Sequence, residues 1–281
     1  MVREFYIENG LGQRFSMMDI EKCCFLSFPT GLGYSNDIQF IQIENDFIAD
    51  IKKIAQGQIS GELIFKKYDN FKKFIDFIEG AEDLRLVYRI PLENETIEYY
   101  KDIDVSTVEK GEFGTDGVLR IPITFMCKSL WYEAKEVVYN IDSVTNELRW
   151  DFNWNSAFTS YDNRNIIFEN KGHTNAPFKL ELNGEIISPK ITILEDEKEI
   201  GMLDLTGLTI NSGEKFIYNT KDTREQIYKE GKDGKENLFS FLNPNFINFY
   251  KLRKGVSKIR LEADNEITNG KLTIYVQYKA V

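Results

Sequence analysis

The sequence predicts a mainly β protein of two domains carrying one helix, and three observations lead there. Its 281 residues exceed what one small core needs. It holds 21 Phe and 14 Tyr, side chains that suit pleated surfaces better than helices. Apolar residues recur with a period of two along several short runs, the mark of a strand with one buried face.

The first distinctive stretch is FPTGLGYSND, Phe28 to Asp37. A dinucleotide-binding loop would need a third glycine where Asn36 stands, and a phosphate loop would need Gly-Lys-Ser/Thr to follow. A second Gly-Leu-Gly, Gly10 to Gly12, sits in an equally polar turn. Gly31 and Gly33 are therefore expected to bend the chain, since glycine adopts positive φ at little steric cost.

Next comes YDNFKKFIDFIEG, in which Tyr68, Phe71, Phe74, Ile75 and Ile78 recur at three and four residues. This spacing predicts an amphipathic helix of about three turns. Asp69 or Asn70 serves as its N-cap and Gly80 as its stop. It lies between the strand candidates GELIFK and LRLVYRI, so its Phe/Ile stripe should cover the open side of a β-sandwich or barrel.

In LRLVYRI, Leu84, Leu86, Tyr88 and Ile90 fall on one face; in LRIPITFMC the same holds for Leu119, Ile121, Ile123, Phe125 and Cys127. Periodicity then weakens between Asn140 and Asn155, which puts a domain junction near Thr145 and the domains at 1–145 and 146–281. Beyond it, KLELNGEII reads as a hairpin turned at Asn183-Gly184. LEDEKE, ending Glu195 to Glu199, reads as a solvated β-turn, and GKDGKE, Gly231 to Glu236, as a turn or loop. KLTIYVQYK closes the series with Leu272, Ile274, Val276 and Tyr278 in register. Strands this closely spaced leave no room for repeated βαβ units, so the sheets are antiparallel.

Charge narrows the function. The net charge is −10, and residues 1–145 carry 25 acidic against 16 basic side chains, while residues 146–281 carry 20 against 19. That is the wrong sign for holding phosphate backbones. The N-terminus MVREFYIENG has no apolar signal region and no run is long enough to cross a bilayer, so neither classical secretion nor a membrane span is expected.

Reactive groups do not converge. His173 is the only histidine and lies in the turn-forming KGHTNAP, with no nucleophile elbow elsewhere. Adjacent Cys23 and Cys24, with Cys127 far away, lack zinc-ligand spacing and read as reduced thiols. The acidic run at Glu195 lacks the alternation and central glycine of a calcium loop. No catalytic, cofactor-binding or metal-binding residue is predicted, and an enzyme is not expected.

Taken in order, the pieces resemble the distal tail proteins of long-tailed bacteriophages. The resemblance begins at FYIENGLGQRFSM and FPTGLGYSND, continues through the helix and LRLVYRI, and reaches ITFMCKSLWYE, similar to a last strand ending in Leu-Trp-Tyr. In the second half it rests on FENKGHTNAPFKLELNGEIISPKI, with Asn170, Gly172, Ala176, Pro177, Gly184, Ser188 and Pro189, and on LTINSGEKFIYNT and FYKLRKGVSKIRLEA.

This resemblance implies an N-terminal β-sandwich or split-barrel domain with one helix, and a C-terminal galectin-like or jelly-roll β-sandwich. It further implies a hexameric ring, the hub of the tail tip or baseplate in the virion, made in the host bacterial cytoplasm. Its partners would be the tail tube, tape measure, tail-associated baseplate and fibre or receptor-binding proteins, with DNA passing without specific binding and no membrane contact. The alternative is a two-domain carbohydrate-binding protein, with Trp150, Trp154 or Tyr161 as stacking platforms.

Overall fold

Along β1 (Glu4–Asn9), Phe5 and Ile7 point inward while Glu4 and Tyr6 stay at the surface, and this alternation organises the first half of the chain. The computed structural model describes residues 3–92, 95–140, 165–221, 225–243, 247–265, 267 and 269–281. The chain divides into two compact units, Met1–Glu133 with Tyr278–Val281, and Ala134–Gln277. The expected junction near Thr145 lies outside the described residues, as do Trp150, Trp154 and Tyr161.

The first unit continues with β2 (Arg14–Ser16), β3 (Phe25–Thr30), β4 (Asn36–Ile43), β5 (Asp46–Ile54), β6 (Gln58–Phe65) and the helix α1 (Tyr68–Glu79). Then follow β7 (Leu84–Pro91), β8 (Thr96–Val108), β9 (Leu119–Cys127) and the start of β10 (Trp131–Asn140). Antiparallel pairing runs β2-β1-β7-β8-β9-β6-β3. The two ends of that row meet: Met18 bridges Phe25, and Leu26 N–H donates to the Met17 carbonyl at 2.9 Å. The row thus closes into a barrel, which removes most of its free edges.

The barrel is filled by inward residues such as Ile7, Leu63, Phe65, Leu86, Ile121 and Phe125. All five alternating residues of β9 are buried as the sequence predicts. In β7, Leu84, Leu86 and Tyr88 are buried and Ile90 half-buried, but Val87 is buried as well, so mid-strand both faces are covered.

Helix α1 caps the barrel with Phe71, Phe74 and Ile78. The Phe74 ring stands 5.4 Å from Phe15 and 6.0 Å from Phe65. Its N-cap is neither Asp69 nor Asn70 but Lys67, which makes no side-chain cap bond. The helix begins earlier because Tyr68 joins it and packs on Phe71, leaving Asp69 in the first turn, where a carboxylate suits the helix dipole. Gly80 ends the helix at φ −80, outside the left-handed region.

One boundary differs from the sequence reading. Leu130, Trp131 and Tyr132 do not finish β9; Trp131 and Tyr132 open β10. The turn between them is fixed by Lys128 N–H donating to the Asp102 carbonyl and Asp102 N–H donating to Ser129 Oγ.

The second unit contains β11 (Asn165–Asn170), β12 (Phe178–Asn183), β13 (Ile186–Ile187), β14 (Lys190–Glu195), β15 (Lys198–Asp204) and β16 (Thr209–Ile210). It continues with β17 (Lys215–Asn219), β18 (Gln226–Gly231), β19 (Gly234–Asn237), β20 (Gly255–Glu262) and β21 (Asn269–Tyr278). One sheet runs β19-β18-β17-β12-β21 and another β11-β20-β14-β15, with β13 and β16 pairing apart. The first sheet buries the row Phe178, Leu180, Phe216, Leu272 and Ile274 and the second the row Ile191, Ile193, Ile259 and Leu261, while in β17 and β14 the opposite face is covered as well, at Ile217 and at Thr192 and Leu194. Two such sheets supply the apolar faces that a β-sandwich needs.

KLELNGEII is not a hairpin. The chain does turn at Gly184, with φ 104, but β12 already has β17 and β21 on its two edges, so Ile186 pairs with Ile210 instead. The acidic turn is as expected: Asp196 and Glu197, φ 48 and 62, join the paired β14 and β15. GKDGKE likewise forms the tight connection between β18 and β19.

Candidate assembly surface

The barrel leaves one part of the first unit unabsorbed, the hairpin β4–β5. Its strands pair only with each other, from Asn36 opposite Ile54 to Ile43 opposite Asp46, with Glu44 at φ 54 in the connection. The register shifts between Gln39 and Phe40, so Asp50 is an extra residue in β5. Cross-strand partners share a face. One face therefore presents Ile38, Phe40, Phe47 and Ile54, and the other Ile41, Ile43, Ile48 and Ile51.

These eight apolar side chains are between 37% and 66% exposed. A lone two-stranded ribbon in water is marginal, and an apolar surface on this scale on a single element marks a contact site. Both faces are apolar, so one flat partner surface cannot cover the ribbon. Both outer strand edges also present unpaired backbone groups.

The root of the hairpin, by contrast, is held firmly. Gly31 has φ 79, and a Cβ there would lie 1.9 Å from the Gln58 carbonyl oxygen, so no other residue fits. The buried Trp131 indole Nε1–H donates to the Leu32 carbonyl at 2.8 Å. Gly33 has neither positive φ nor a neighbour in the way. Of the two glycines in the turn, only Gly31 is required by the backbone.

The outer face of β1, β2, β7 and β8 carries a ladder of charges. Arg14 donates from both terminal nitrogens to Glu98, at 2.8 and 2.9 Å, and from Nε to Glu8 at 2.8 Å. Arg85 lies 3.4 Å from Glu8 and 3.7 Å from Asp102, and Arg89 lies 3.3 Å from Glu4. The Arg14 hydrogen bonds hold the Glu98 carboxyl below its ordinary value and raise the guanidinium's own. Burial, reinforced by the hydrogen bond that its hydroxyl donates to Glu98 at 2.6 Å, pushes Tyr100 up to about 12. Four of the acidic side chains of the first half are thus paired in place with three arginines, and the ladder sets strand register without a reactive group.

The other residues singled out in the sequence lie apart. His173 sits in the loop after β11, where its N–H donates to the Gln277 carbonyl. Cys23, Cys24 and Cys127 are free thiols, the last two buried, and burial pushes both of those thiols up. Among the described residues no group of three metal-ligating side chains comes together. The Asn-x-Gly motif is structural: buried Asn170 donates from Nδ2 to the Thr174 and Leu252 carbonyls at 2.9 and 3.1 Å and accepts the Gly172 N–H at 2.9 Å.

Residues 4–128 match the family described as distal tail protein, N-terminal domain. No curated protein matches the chain in sequence. Among solved structures, the chain is similar to one in the phage P2 baseplate in its activated conformation with calcium, at TM-score 0.71 and 17% identity with all of both chains covered. The same baseplate with strontium gives the same values. It is also similar to the Dit protein of phage SPP1, described as a paradigm of the hub adsorption apparatus in phages infecting Gram-positive bacteria. There the TM-score is 0.57 at 10% identity, covering 96% of this chain and 98% of that one.

Proposed function

We propose that the chain is the repeating subunit of a closed ring at a phage tail tip, joined through its first unit. The family match over residues 4–128 and the fold shared with baseplate and hub proteins support a phage distal tail protein with a structural role in the tail-tip hub. Such a protein is a component of the virion tail, in a family of structural and generally non-enzymatic subunits.

The hairpin β4–β5 is the observation that carries the ring. The barrel has closed its own row of strands, and the hairpin gathers eight exposed apolar side chains and two free edges on one element. A second copy of this chain is the occupant that fits best. A hairpin on one surface received by a different surface of the next subunit is a head-to-tail contact, which makes a ring when the rotation between subunits closes. Six copies are expected from the family resemblance.

In this reading the ring joins the tail tube to baseplate and fibre or receptor-binding proteins, and the tape measure and then DNA pass through it. A ring whose subunits each carry a net charge of −10 gives DNA little to hold. No catalytic step is assigned to it, and its synthesis belongs to the host cytoplasm.

Light scattering over a wide concentration range, with negative-stain images, tests the ring. The wild type should form closed rings, alone or with neighbouring tail proteins, and the pair Phe47→Asp and Ile48→Asp should stay monomeric with unchanged melting. Rings that form as well from the double variant would remove the hairpin from the interface.

A further inference from the structure

The second unit holds a cleft of about 500 Å³ beside the edge strand β15, bordered on its other side by Phe241, Asn243, Asn248 and Tyr250. The geometry points to this cleft as a binding site for a neutral saccharide, a function that does not depend on the ring. Its volume falls in the range of small-molecule sites. Its lining combines two aromatic rings, Phe241 and Tyr250, with two carboxylates, Glu199 and Asp204, and two amides, Asn243 and Asn248.

Each part matches a feature of a sugar. A pyranose has a face of C–H groups, which suits the electron-rich face of an aromatic ring. Around its rim are hydroxyls that both donate and accept, and the two carboxylates accept from them. Among the described residues, no basic side chain lines the cleft. Among the described residues the Asp204 carboxylate accepts from Thr206 alone, at 2.6 Å from its hydroxyl and 3.0 Å from its N–H. Two carboxylates without a cation repel phosphate and uronate groups, so the saccharide must be neutral.

The ring that would stack is fixed in advance. A Cβ on Gly201 would lie 2.4 Å from Tyr250 Cδ1, so the tyrosine lies flat on a glycine that leaves room for it. Its neighbours Asn248 and Phe249 are tied to the buried Tyr218, whose hydroxyl donates to the Asn248 carbonyl at 2.7 Å and whose ring stacks on Phe249 at 5.7 Å. A platform ordered before binding avoids the entropy cost of ordering it afterwards.

Ligand-observed NMR and calorimetry on the full chain, with glucose, galactose, rhamnose, N-acetylglucosamine and N-acetylgalactosamine as probes and glucuronic acid as the anionic control, test the assignment. At least one neutral sugar should bind saturably and glucuronic acid should not. Glu199→Ala, at an exposed position, should keep the wild-type melting curve and weaken binding about tenfold, the effect of losing one good hydrogen bond. Gly201→Ala, which displaces the Tyr250 ring, should abolish binding. Absence of binding by every neutral sugar, binding that both variants leave intact, or equal binding of glucuronic acid would overturn the proposal.

Discussion

The indole Nε1–H of Trp131 donates to the carbonyl of Leu32 at 2.8 Å, across 99 positions of sequence. This one bond joins the Leu-Trp-Tyr motif to the Gly-Leu-Gly turn and anchors the projecting hairpin to the barrel.

Trp131→Phe keeps an aromatic ring but removes the donor and leaves a gap at a fully buried site. It should cost about 2–4 kcal/mol, the sum expected for an unsatisfied carbonyl and a partly emptied core position. Denaturant unfolding of the full chain measures it. A loss well under 1 kcal/mol would mean that water replaces the indole and that the root is not held by this bond.

A second pair predicts pH dependence. Hydrogen bonding to Arg14 holds Glu98 below its ordinary value of 4.5. A carboxylate with a depressed folded-state pKa stabilises the fold above the unfolded value, and that contribution fades as pH falls below about 4.5. Because the pair is partly exposed, a screened contribution of about 1 kcal/mol is expected. Glu98→Gln should therefore be less stable than wild type at pH 7, with the gap closing toward pH 3. A gap of constant size over that interval would show that the carboxylate charge contributes nothing.

How much of this was legible in the sequence depends on how many faces an element buries. Helix α1 buries one stripe, so Phe71, Phe74 and Ile78 announce it. Strand β9 buries one face and reads equally clearly. The hairpin β4–β5 buries neither in one copy, and its apolar residues sit side by side, Phe40 with Ile41 and Phe47 with Ile48, which breaks the period of two. The available signal was Glu44-Asn45 between two strand-like runs. Asn183-Gly184 misled for another reason: turn chemistry is local, whereas the partner of Ile186 is decided by which sheet edges are already taken. The saccharide cleft was illegible because Glu199 and Tyr250, which line it together, come from segments far apart in the chain.

In the second unit, Asn170→Ala removes one acceptor and two donors from a buried loop crossing. The Thr174 carbonyl and the Gly172 N–H lose their partner at once, each with a penalty of roughly 1 kcal/mol or more, while the Leu252 carbonyl keeps the Ala176 N–H. A loss of about 2 kcal/mol is expected in the transition of this unit, with that of the first unit unchanged. Asn170→Asp should recover only the bond from Gly172 N–H, since a carboxylate cannot donate. Full stability in both variants would leave the Asn-x-Gly motif without a structural role.

The two faces of the hairpin allow the ring interface to be dissected. Phe40 and Phe47 lie on one face, Ile41 and Ile48 on the other. If a neighbouring copy receives the ribbon in a cleft, both faces are covered, and Phe47→Asp or Ile48→Asp alone should each abolish assembly, because a buried unpaired carboxylate costs several kcal/mol. If the ribbon lies on a flat surface, one variant should assemble normally and the other fail. Neither substitution should lower the melting temperature of the single chain, since both side chains are more than half exposed there, at 66% and 55%. Analytical ultracentrifugation of the two single variants beside the wild type separates these cases. Equal failure selects the cleft, which is also the arrangement that satisfies the exposed apolar residues on both faces, and normal assembly of both variants would assign the ring contact to another part of the first unit.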